Sequence, residues 1–312
     1  ALMGGNGGLL KHAPNVPGCA LAIESILREA GFPEGLFRTL LIAVPQTKTV
    51  IRHRHVAAVT LTGSTAAGKA VAREAGARLK KCVLELGGSD PYLILEDADL
   101  ELAVEACATS RLINAGQSCI AAKRFIVVAS VREEFERRFV ARMARARMGD
   151  PMLPDTDLGP QARADLREHL HDQVQRSIAK GARLVLGGTI PPGPGFFYPP
   201  TVLTDVAKGM PAYSEELFGP VAAIIPVKDA KAAIKVANDT VYGLGAAVFT
   251  ADLARGEELA VDHLEAGACF VNAFVRSDPR LPFGGIRESG FGRELARHGL
   301  LEFQNAKTVY VR

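Results

Sequence analysis

The sequence predicts an α/β fold in which helices pack on a doubly wound, parallel sheet. Short apolar runs that are typical of buried strands alternate along the chain with segments of helical periodicity, and this alternation indicates parallel βαβ units. The chain has 312 residues, of which 48% are hydrophobic. This length and composition allow a large core and suggest two domains.

The first third of the chain predicts a group of strands with a candidate anion site. Strands are expected at residues 8–12, 39–44, 56–62 and 83–86, and helices at 18–30 and from about 65 to 76. Gly63 permits close backbone approach, and Ser64 or Thr65 can cap the second helix. A helix N-terminus after a strand binds anions readily. The loop is neither a G-x-G-x-x-G nor a Walker A pattern, so a purely structural turn remains an alternative.

The remaining two thirds predict a longer alternation of strands and helices. Strands are expected at 91–95, 124–128, 183–186, 221–227, 245–250, 268–272 and 307–311, and helices at 100–112, 132–148, 166–180, 230–237, 253–261 and 294–301. The tract at 187–200 is rich in Gly and Pro and predicts a surface loop.

Charge and cysteine usage exclude several classes of function. Lys and Arg total 37 against 34 Asp and Glu, and a net charge of +3 is too small to indicate binding to nucleic acid or to an acidic membrane. The arginines of the helix at 132–148 are expected on a solvated face. No apolar run is long enough to span a membrane. The five cysteines are scattered without metal-ligand spacing, which predicts free thiols, no metal site and a cytoplasmic location.

One cysteine has a setting that favours reactivity. Cys119 follows Gly116 in a small polar loop at 112–120, whereas the other four cysteines are expected to be buried or nearly so. The thiolate is the reactive form, and it needs an accessible, electropositive environment. A single Cys is more often a small buried hydrophobic residue, but the presence of Glu85 favours a catalytic role for Cys119. Its carboxylate lies in the apolar strand at 83–86, where an unpaired charge is costly unless it has a function.

Four motifs in order resemble the aldehyde dehydrogenase superfamily. They are Glu85-Leu86-Gly87-Gly88, Asn114-Ala115-Gly116-Gln117-Ser118-Cys119, Glu215-Glu216-Leu217-Phe218-Gly219-Pro220, and Pro282-Phe283-Gly284-Gly285 with Ser289-Gly290-Phe291-Gly292-Arg293-Glu294. Residues 80–91 and 11–15 are most similar to a bacterial NAD(P)-dependent succinate-semialdehyde dehydrogenase subgroup.

The resemblance implies a particular division of the chain. The C-terminal part of a Rossmann-like cofactor domain is expected at 1–86, and an α/β catalytic domain of the aldehyde dehydrogenase type at 87–287. A return helix and an oligomerisation strand are expected at 288–312. Because the chain opens in mid-pattern, the resemblance also implies an N-terminally truncated fragment.

The activity that the resemblance implies is oxidation of an aldehyde, in particular a short semialdehyde such as succinate semialdehyde, to the acid. Cys119 would add to the carbonyl, hydride would pass to NAD or NADP, and a water activated by Glu85 would hydrolyse the thioester. The Cys119 backbone N–H would donate to the oxyanion, and the family's second donor, an asparagine amide, is expected upstream of residue 1. Acyl transfer to coenzyme A is disfavoured because Glu85 is present to activate water.

Six residues match cofactor-binding positions of the family. Lys11 matches the lysine at the adenosine ribose, Gly63 and Ser64 the loop at the diphosphate, Glu216 the carboxylate at the nicotinamide ribose, and Phe218 the ring beside it; Leu86 completes the set. Many NAD-preferring relatives carry a carboxylate three residues after that lysine. Pro14 stands there in this chain, so both NAD and NADP fit.

The resemblance places the far end of the substrate near Ser277, where succinate-semialdehyde enzymes bind a carboxylate. Arg280 or Arg276 could pair with that carboxylate, although both could equally be surface residues, and Ile113 replaces an arginine that some relatives use. The expected partners are a small-molecule aldehyde and, in the full-length form, copies of the same chain in a dimer or tetramer. The alternative is a non-catalytic remnant or subunit-binding fragment that lacks the N-terminal half of the cofactor domain.

Overall fold

The computed structural model describes residues 1–312, which form two compact units. The first unit contains residues 1–86, 277–284 and 290–312, and the second contains residues 87–276 and 285–289. The division of function among 1–86, 87–287 and 288–312 stays a prediction.

The chain contains twelve strands and ten α-helices. The strands are β1 (Gly8–Lys11), β2 (Phe37–Leu40), β3 (Ala58–Thr62), β4 (Lys81–Glu85), β5 (Pro91–Ile94), β6 (Arg124–Val128), β7 (Arg183–Leu186), β8 (Thr201–Thr204), β9 (Val221–Val227), β10 (Gly245–Phe249), β11 (Ala268–Val271) and β12 (Gly290–Phe291). The helices are α1 (Pro17–Glu29), α2 (Thr47–Arg52), α3 (Thr65–Gly76), α4 (Leu100–Leu112), α5 (Arg132–Met143), α6 (Ala164–Ala179), α7 (Pro211–Ser214), α8 (Ala230–Asn238), α9 (Leu253–Glu258) and α10 (Ala296–Glu302).

The first unit contains two small sheets. One is the parallel pair of β1 and β2. The other has the order β12-β4-β3, with β3 parallel and β12 antiparallel to the central strand β4. Gly290 of β12 pairs with Glu85, the last residue of β4. This register places the backbone of the carboxylate-bearing residue between two neighbouring strands.

The second unit is built on a seven-stranded sheet with the order β11-β10-β5-β6-β9-β8-β7, which is parallel except for β7. Successive side chains of a strand point to opposite faces, and both faces here are buried. Leu93, Ile126 and Val248 pack with α6 and α8 on one face. Tyr92 and Phe125 pack with α4 and α5 on the other. Burial on both faces explains why these strands are continuously apolar in the sequence.

The observed architecture confirms the predicted α/β class, and several element predictions need correction. The helix predicted at 132–148 ends at Met143, and the strand predicted at 39–44 runs from Phe37 to Leu40. Elements α2, α7, β8 and β12 were not predicted because runs of two to six residues carry too little periodicity. Strand β1 is only half-buried, with Leu9 55% exposed.

Residues 307–311 form no strand within the single chain, and the oligomerisation strand expected there, which would pair with a neighbouring subunit, stays a prediction. No strand follows α10, and Val309, Tyr310 and Val311 are all exposed. An apolar alternation is only a tendency toward extended backbone, and a strand also needs a neighbour for its hydrogen bonds, which no segment supplies here. No helix is long and apolar enough to cross a membrane.

Candidate functional site

The cysteine loop of the second unit has an unusual backbone. Helix α4 ends at Leu112, and Asn114, Ala115 and Gly116 then adopt consecutive left-handed conformations, with φ of 51°, 54° and 75°. Non-glycine residues rarely adopt this conformation, and such strain persists only where surrounding structure imposes it. The loop is therefore held in place by its contacts.

Hydrogen bonds from Arg111 of α4 and from residues 161–162 hold this loop. The buried guanidinium of Arg111 donates to the Gly116 carbonyl at 2.7 Å, and Gln161 Nε2 donates to the Ala115 carbonyl at 3.2 Å. The Ala162 N–H donates to Gln117 Oε1 at 2.7 Å. The first two bonds fix the carbonyl groups of Gly116 and Ala115, and the third fixes the side chain of Gln117.

The structure distinguishes Cys119 from the buried Cys107 and the exposed Cys19, while Cys82 and Cys269 are as partly exposed as Cys119. Cys119 is partly exposed, whereas Cys107 is fully buried. Burial raises the Cys119 pKa, and the nearby Lys123 ammonium acts in the opposite direction. Cys82 and Cys269 are partly buried in strands, and burial raises their pKa values as well. Cys19 is exposed, so its predicted burial is wrong, because helix α1 buries only Ala20.

Lys123 is a functional candidate that sequence reasoning missed. Its side chain is fully buried, and Nζ donates to the carbonyl oxygens of Cys119 at 2.8 Å, Ala121 at 3.0 Å and Ser118 at 3.2 Å. Nζ also lies 3.7 Å from Glu216 Oε1. A lysine in the run Ile120-Ala121-Ala122-Lys123, just before a buried strand, was the only signal that could have revealed it.

The predicted cofactor carboxylate, Glu216, lies in the second unit beside the glycine pair that follows β4. Its Oε1 accepts the Gly88 N–H at 3.0 Å. A Cβ on Gly87 would meet Glu216 Oε2 at 2.3 Å, so this position must be glycine for the carboxylate to lie there. The Glu216 side chain remains 18% exposed. It can therefore accept further hydrogen bonds from outside the protein.

The segment that carries Glu216 is fixed by helix α6. Gln173 Nε2 donates to the Glu216 carbonyl at 3.2 Å and to Glu215 Oε2 at 2.9 Å. Arg176 makes two bonds of 3.1 Å to the Glu215 carboxylate. Glu215 is thus a structural ion-pair partner, and Phe218, in the same segment, is half-buried.

In the first unit, Glu85 is 2% exposed, and neither of its carboxylate oxygens has a hydrogen-bond partner. Burial raises its pKa to about 8, repulsion by Glu294 adds to this rise, and Arg293 opposes it. A carboxyl of this kind is mostly protonated at neutral pH. Perturbed carboxyl groups of this type are common where a general base is needed.

The predicted anion loop of the first unit has the expected cap. Ser64 precedes α3, and its hydroxyl accepts the Ala67 N–H at 3.3 Å. Gly63 and Ser64 are exposed, and Leu86 is buried against Gly68 of α3. Lys11, at the end of β1, donates from Nζ to the His12 carbonyl. Gly63 and Ser64, just before α3, are thus accessible to solvent, and the anion site predicted there stays a prediction.

The predicted substrate loop is exposed, and one of its arginines forms an ion pair within the loop. Ser277 and Arg276 are exposed. The guanidinium of Arg280 forms two bonds with the Asp278 carboxylate, at 2.9 Å and 2.6 Å. A substrate carboxylate would have to compete with Asp278 for Arg280. No group of three or more His, Cys, Asp or Glu residues is placed to hold a metal ion.

Comparison with known proteins adds an independent line of evidence. The model of the aldehyde dehydrogenase family matches residues 1–309. The chain is 51% identical over 309 residues to the Escherichia coli (strain K12) NAD(P)+ succinate semialdehyde dehydrogenase Sad, which covers 99% of this chain and 67% of that protein. It is 51% identical over 311 residues to a probable NADP+ succinate-semialdehyde dehydrogenase of Synechocystis, with coverage of 100% and 68%.

Solved structures of similar proteins also match almost the whole chain. The structure of Gox0499 matches with a TM-score of 0.97 at 46% identity and covers 100% of this chain and 68% of that one. The succinic semialdehyde dehydrogenase of Streptococcus pyogenes in complex with NADP+ matches with a TM-score of 0.94 at 40% identity, with coverage of 97% and 66%. The chain thus spans about two thirds of the length of these relatives.

Proposed function

Because the chain belongs to the aldehyde dehydrogenase family, we propose that it oxidises an aldehyde to the carboxylic acid, with NAD+ or NADP+ as the hydride acceptor. The proposed substrate is a short semialdehyde such as succinate semialdehyde, the substrate in the names of the relatives from E. coli and Synechocystis. The observation that carries the proposal is the partly exposed Cys119 on a loop whose backbone is fixed by buried residues.

In the first half of the reaction, Cys119 acts as the nucleophile. Its thiol loses a proton to solvent water, and the sulfur forms a bond to the aldehyde carbon while the C=O π bond breaks and its oxygen becomes an oxyanion. The Cys119 backbone N–H is a donor for that oxyanion. When bound, the nicotinamide cofactor supplies the acceptor for the hydride of the former aldehyde carbon. The acyl group then remains on Cys119 as a thioester.

In the second half, Glu85 acts as the general base. Its ionised carboxylate takes a proton from water, the hydroxide equivalent attacks the thioester carbon, and the C–S bond breaks. The acid leaves, and the sulfur takes up the proton that Glu85 had accepted from water, so both side chains return to their starting states. The absence of a hydrogen-bond partner for either Glu85 oxygen supports this role, because the carboxylate is free to accept a water proton.

The chain's residues fit the proposed cofactor. The Glu216 carboxylate accepts the Gly88 N–H at Oε1, lies with Oε2 against Gly87, and is exposed enough to accept ribose hydroxyls. Ser64 caps a helix of twelve residues whose N-terminus suits a phosphate group. Gly63, Leu86, Lys11 and Phe218 are proposed as the remaining contacts. Pro14 is exposed and uncharged, so no carboxylate there opposes a 2′-phosphate.

Three further expectations remain predictions. Ser277 and Arg280 are proposed to bind the far carboxylate of the substrate. Association of copies of the chain into a dimer or tetramer is proposed from the family resemblance alone. The cytoplasmic location rests on cysteine usage.

The test uses paired cysteine variants of the chain with succinate semialdehyde and either NAD+ or NADP+. Cys119→Ala should abolish formation of reduced cofactor, whereas Cys107→Ala should retain most of it, because Cys107 is buried and its thiol pKa is well above the usual value. Equal losses at both positions would contradict the assignment of the nucleophile. No turnover by the unmutated chain with either cofactor would favour the alternative of a non-catalytic fragment.

A further inference from the structure

We propose that Lys123 is a positioning residue that holds the nucleophile loop and the cofactor carboxylate through one buried ammonium group. An ammonium has three N–H donors, and the Lys123 bonds to the carbonyls of Ser118, Cys119 and Ala121 use all three. Carbonyl oxygens that converge on one cation fix the curvature of the chain between them. The backbone of Cys119 is thus anchored at its own carbonyl.

The same cation also acts on Glu216. Lys123 Nζ lies 3.7 Å from Glu216 Oε1, the oxygen that accepts the Gly88 N–H. Because Lys123 is fully buried, this attraction is poorly screened by solvent. Without the ammonium, Glu216 would keep the Gly88 bond but lose its neighbouring positive charge.

Lys123 does more than neutralise the acidic residues around it. Burial lowers the pKa of Lys123 and Arg111 adds to this effect, whereas the negative charges of Glu216, Asp90 and Cys119 oppose it. A residue needed only to balance Asp90 and Glu216 would have no reason to direct its three N–H groups at the carbonyl oxygens of Cys119 and its neighbours Ser118 and Ala121. The bond pattern therefore points to control of the position and ionisation of Cys119.

The second unit offers a matched control. Arg124 is the next residue, is equally buried, and also donates to carbonyls, those of Ser89, Val236 and Ala237. None of these carbonyls belongs to the cysteine loop. Arg124→Gln should therefore reproduce the loss of a buried cation without releasing the nucleophile loop.

The main measurement is alkylation of Cys119 by iodoacetamide as a function of pH, read by mass spectrometry of the peptide that contains it. Lys123→Met should raise the midpoint of the alkylation profile by about one pH unit and slow alkylation at neutral pH about tenfold, because the thiolate loses a neighbouring cation. Arg124→Gln should leave the midpoint unchanged. An unchanged midpoint in folded Lys123→Met would overturn the proposal.

A second measurement, calorimetric titration with NAD+ and NADP+, concerns Glu216 and rests on the proposed function. Lys123→Met should weaken binding of the accepted cofactor about tenfold, and Arg124→Gln should not. Undiminished binding by Lys123→Met would overturn the coupling to Glu216. If the unmutated chain binds neither nucleotide, the proposed function fails, while the alkylation profile still decides the role of Lys123 at Cys119.

Folding of the variants is checked by circular dichroism. If Lys123→Met is unfolded, Lys123→Gln takes its place, because an amide can still donate to two carbonyls without carrying a charge. It is expected to show the same rise of the alkylation midpoint. Failure of both variants to fold, with Arg124→Gln folded, would make Lys123 a folding residue and overturn the positioning role.

Discussion

Replacing Glu85 by glutamine tests the second half of the proposed reaction. A carboxyl with a pKa of about 8 is ionised in about one molecule in eleven at pH 7 and in about ten of eleven at pH 9. If hydrolysis of the thioester limits turnover, kcat should therefore rise about tenfold over this range. Glu85→Gln should have a low kcat without this rise. It should retain the first-turnover burst of reduced cofactor, because hydride transfer precedes hydrolysis.

The assay combines stopped-flow measurement of the burst with steady-state kcat across the pH range. Glu294→Gln is the matched variant, because Glu294 repels the ionised form of Glu85 and raises its pKa. This variant should move the midpoint of the kcat profile to lower pH and keep its shape. Loss of the burst in Glu85→Gln would make Glu85 an activator of the thiol or a structural residue. If the kcat of Glu85→Gln still rose with pH, the group that titrates would be another residue.

The raised pKa of Glu85 also predicts how the stability of the folded chain depends on pH. The pKa of Glu85 is raised from 4.5 to about 8 in the folded state. Its protonated form therefore favours folding, fully so below pH 4.5, and this contribution is lost as the pH rises through 8. The melting temperature of Glu85→Gln should consequently fall less than that of the unmutated chain between about pH 6 and pH 9. Equal slopes would show that Glu85 is solvated when ionised.

Two other predictions concern packing and substrate choice. Gly68→Ala should lower the melting temperature and weaken cofactor binding, because its Cβ would lie 2.4 Å from Leu86 Cδ1. Gly76→Ala is the control in the same helix, where a Cβ would meet no atom within 4 Å, and it should be neutral or stabilising. Equal changes of melting temperature in the two variants would contradict the packing argument. Ser277→Ala and Arg280→Ala should each reduce the preference in kcat/KM for succinate semialdehyde over butanal by roughly tenfold to a hundredfold, the loss of one charge-assisted bond. If the unmutated enzyme oxidises butanal as efficiently, the loop at 277–280 does not bind a carboxylate.

The sequence by itself predicted most of the strands and helices in their order and singled out Cys119 and Glu85 as the reactive candidates. Parallel strands buried on both faces are apolar throughout, so β5, β6 and β9 were visible as short runs. Cys119 stood out because it lies in a polar loop, and Glu85 because it is a charge in an apolar strand. The Ser64 cap was predictable because capping depends on residues only three positions apart.

Only the tertiary structure decided which charges are compensated, because burial of a charge depends on partners far away in the sequence. Lys123 became a candidate when its ammonium was found between the cysteine loop and Glu216. Arg280 forms an ion pair with Asp278, whereas the sequence of the loop did not decide whether Arg280 was paired or free to bind a substrate. Strand pairing has the same non-local origin: β8 forms because β9 and β7 lie on either side, whereas residues 307–311 have no such neighbour within this chain.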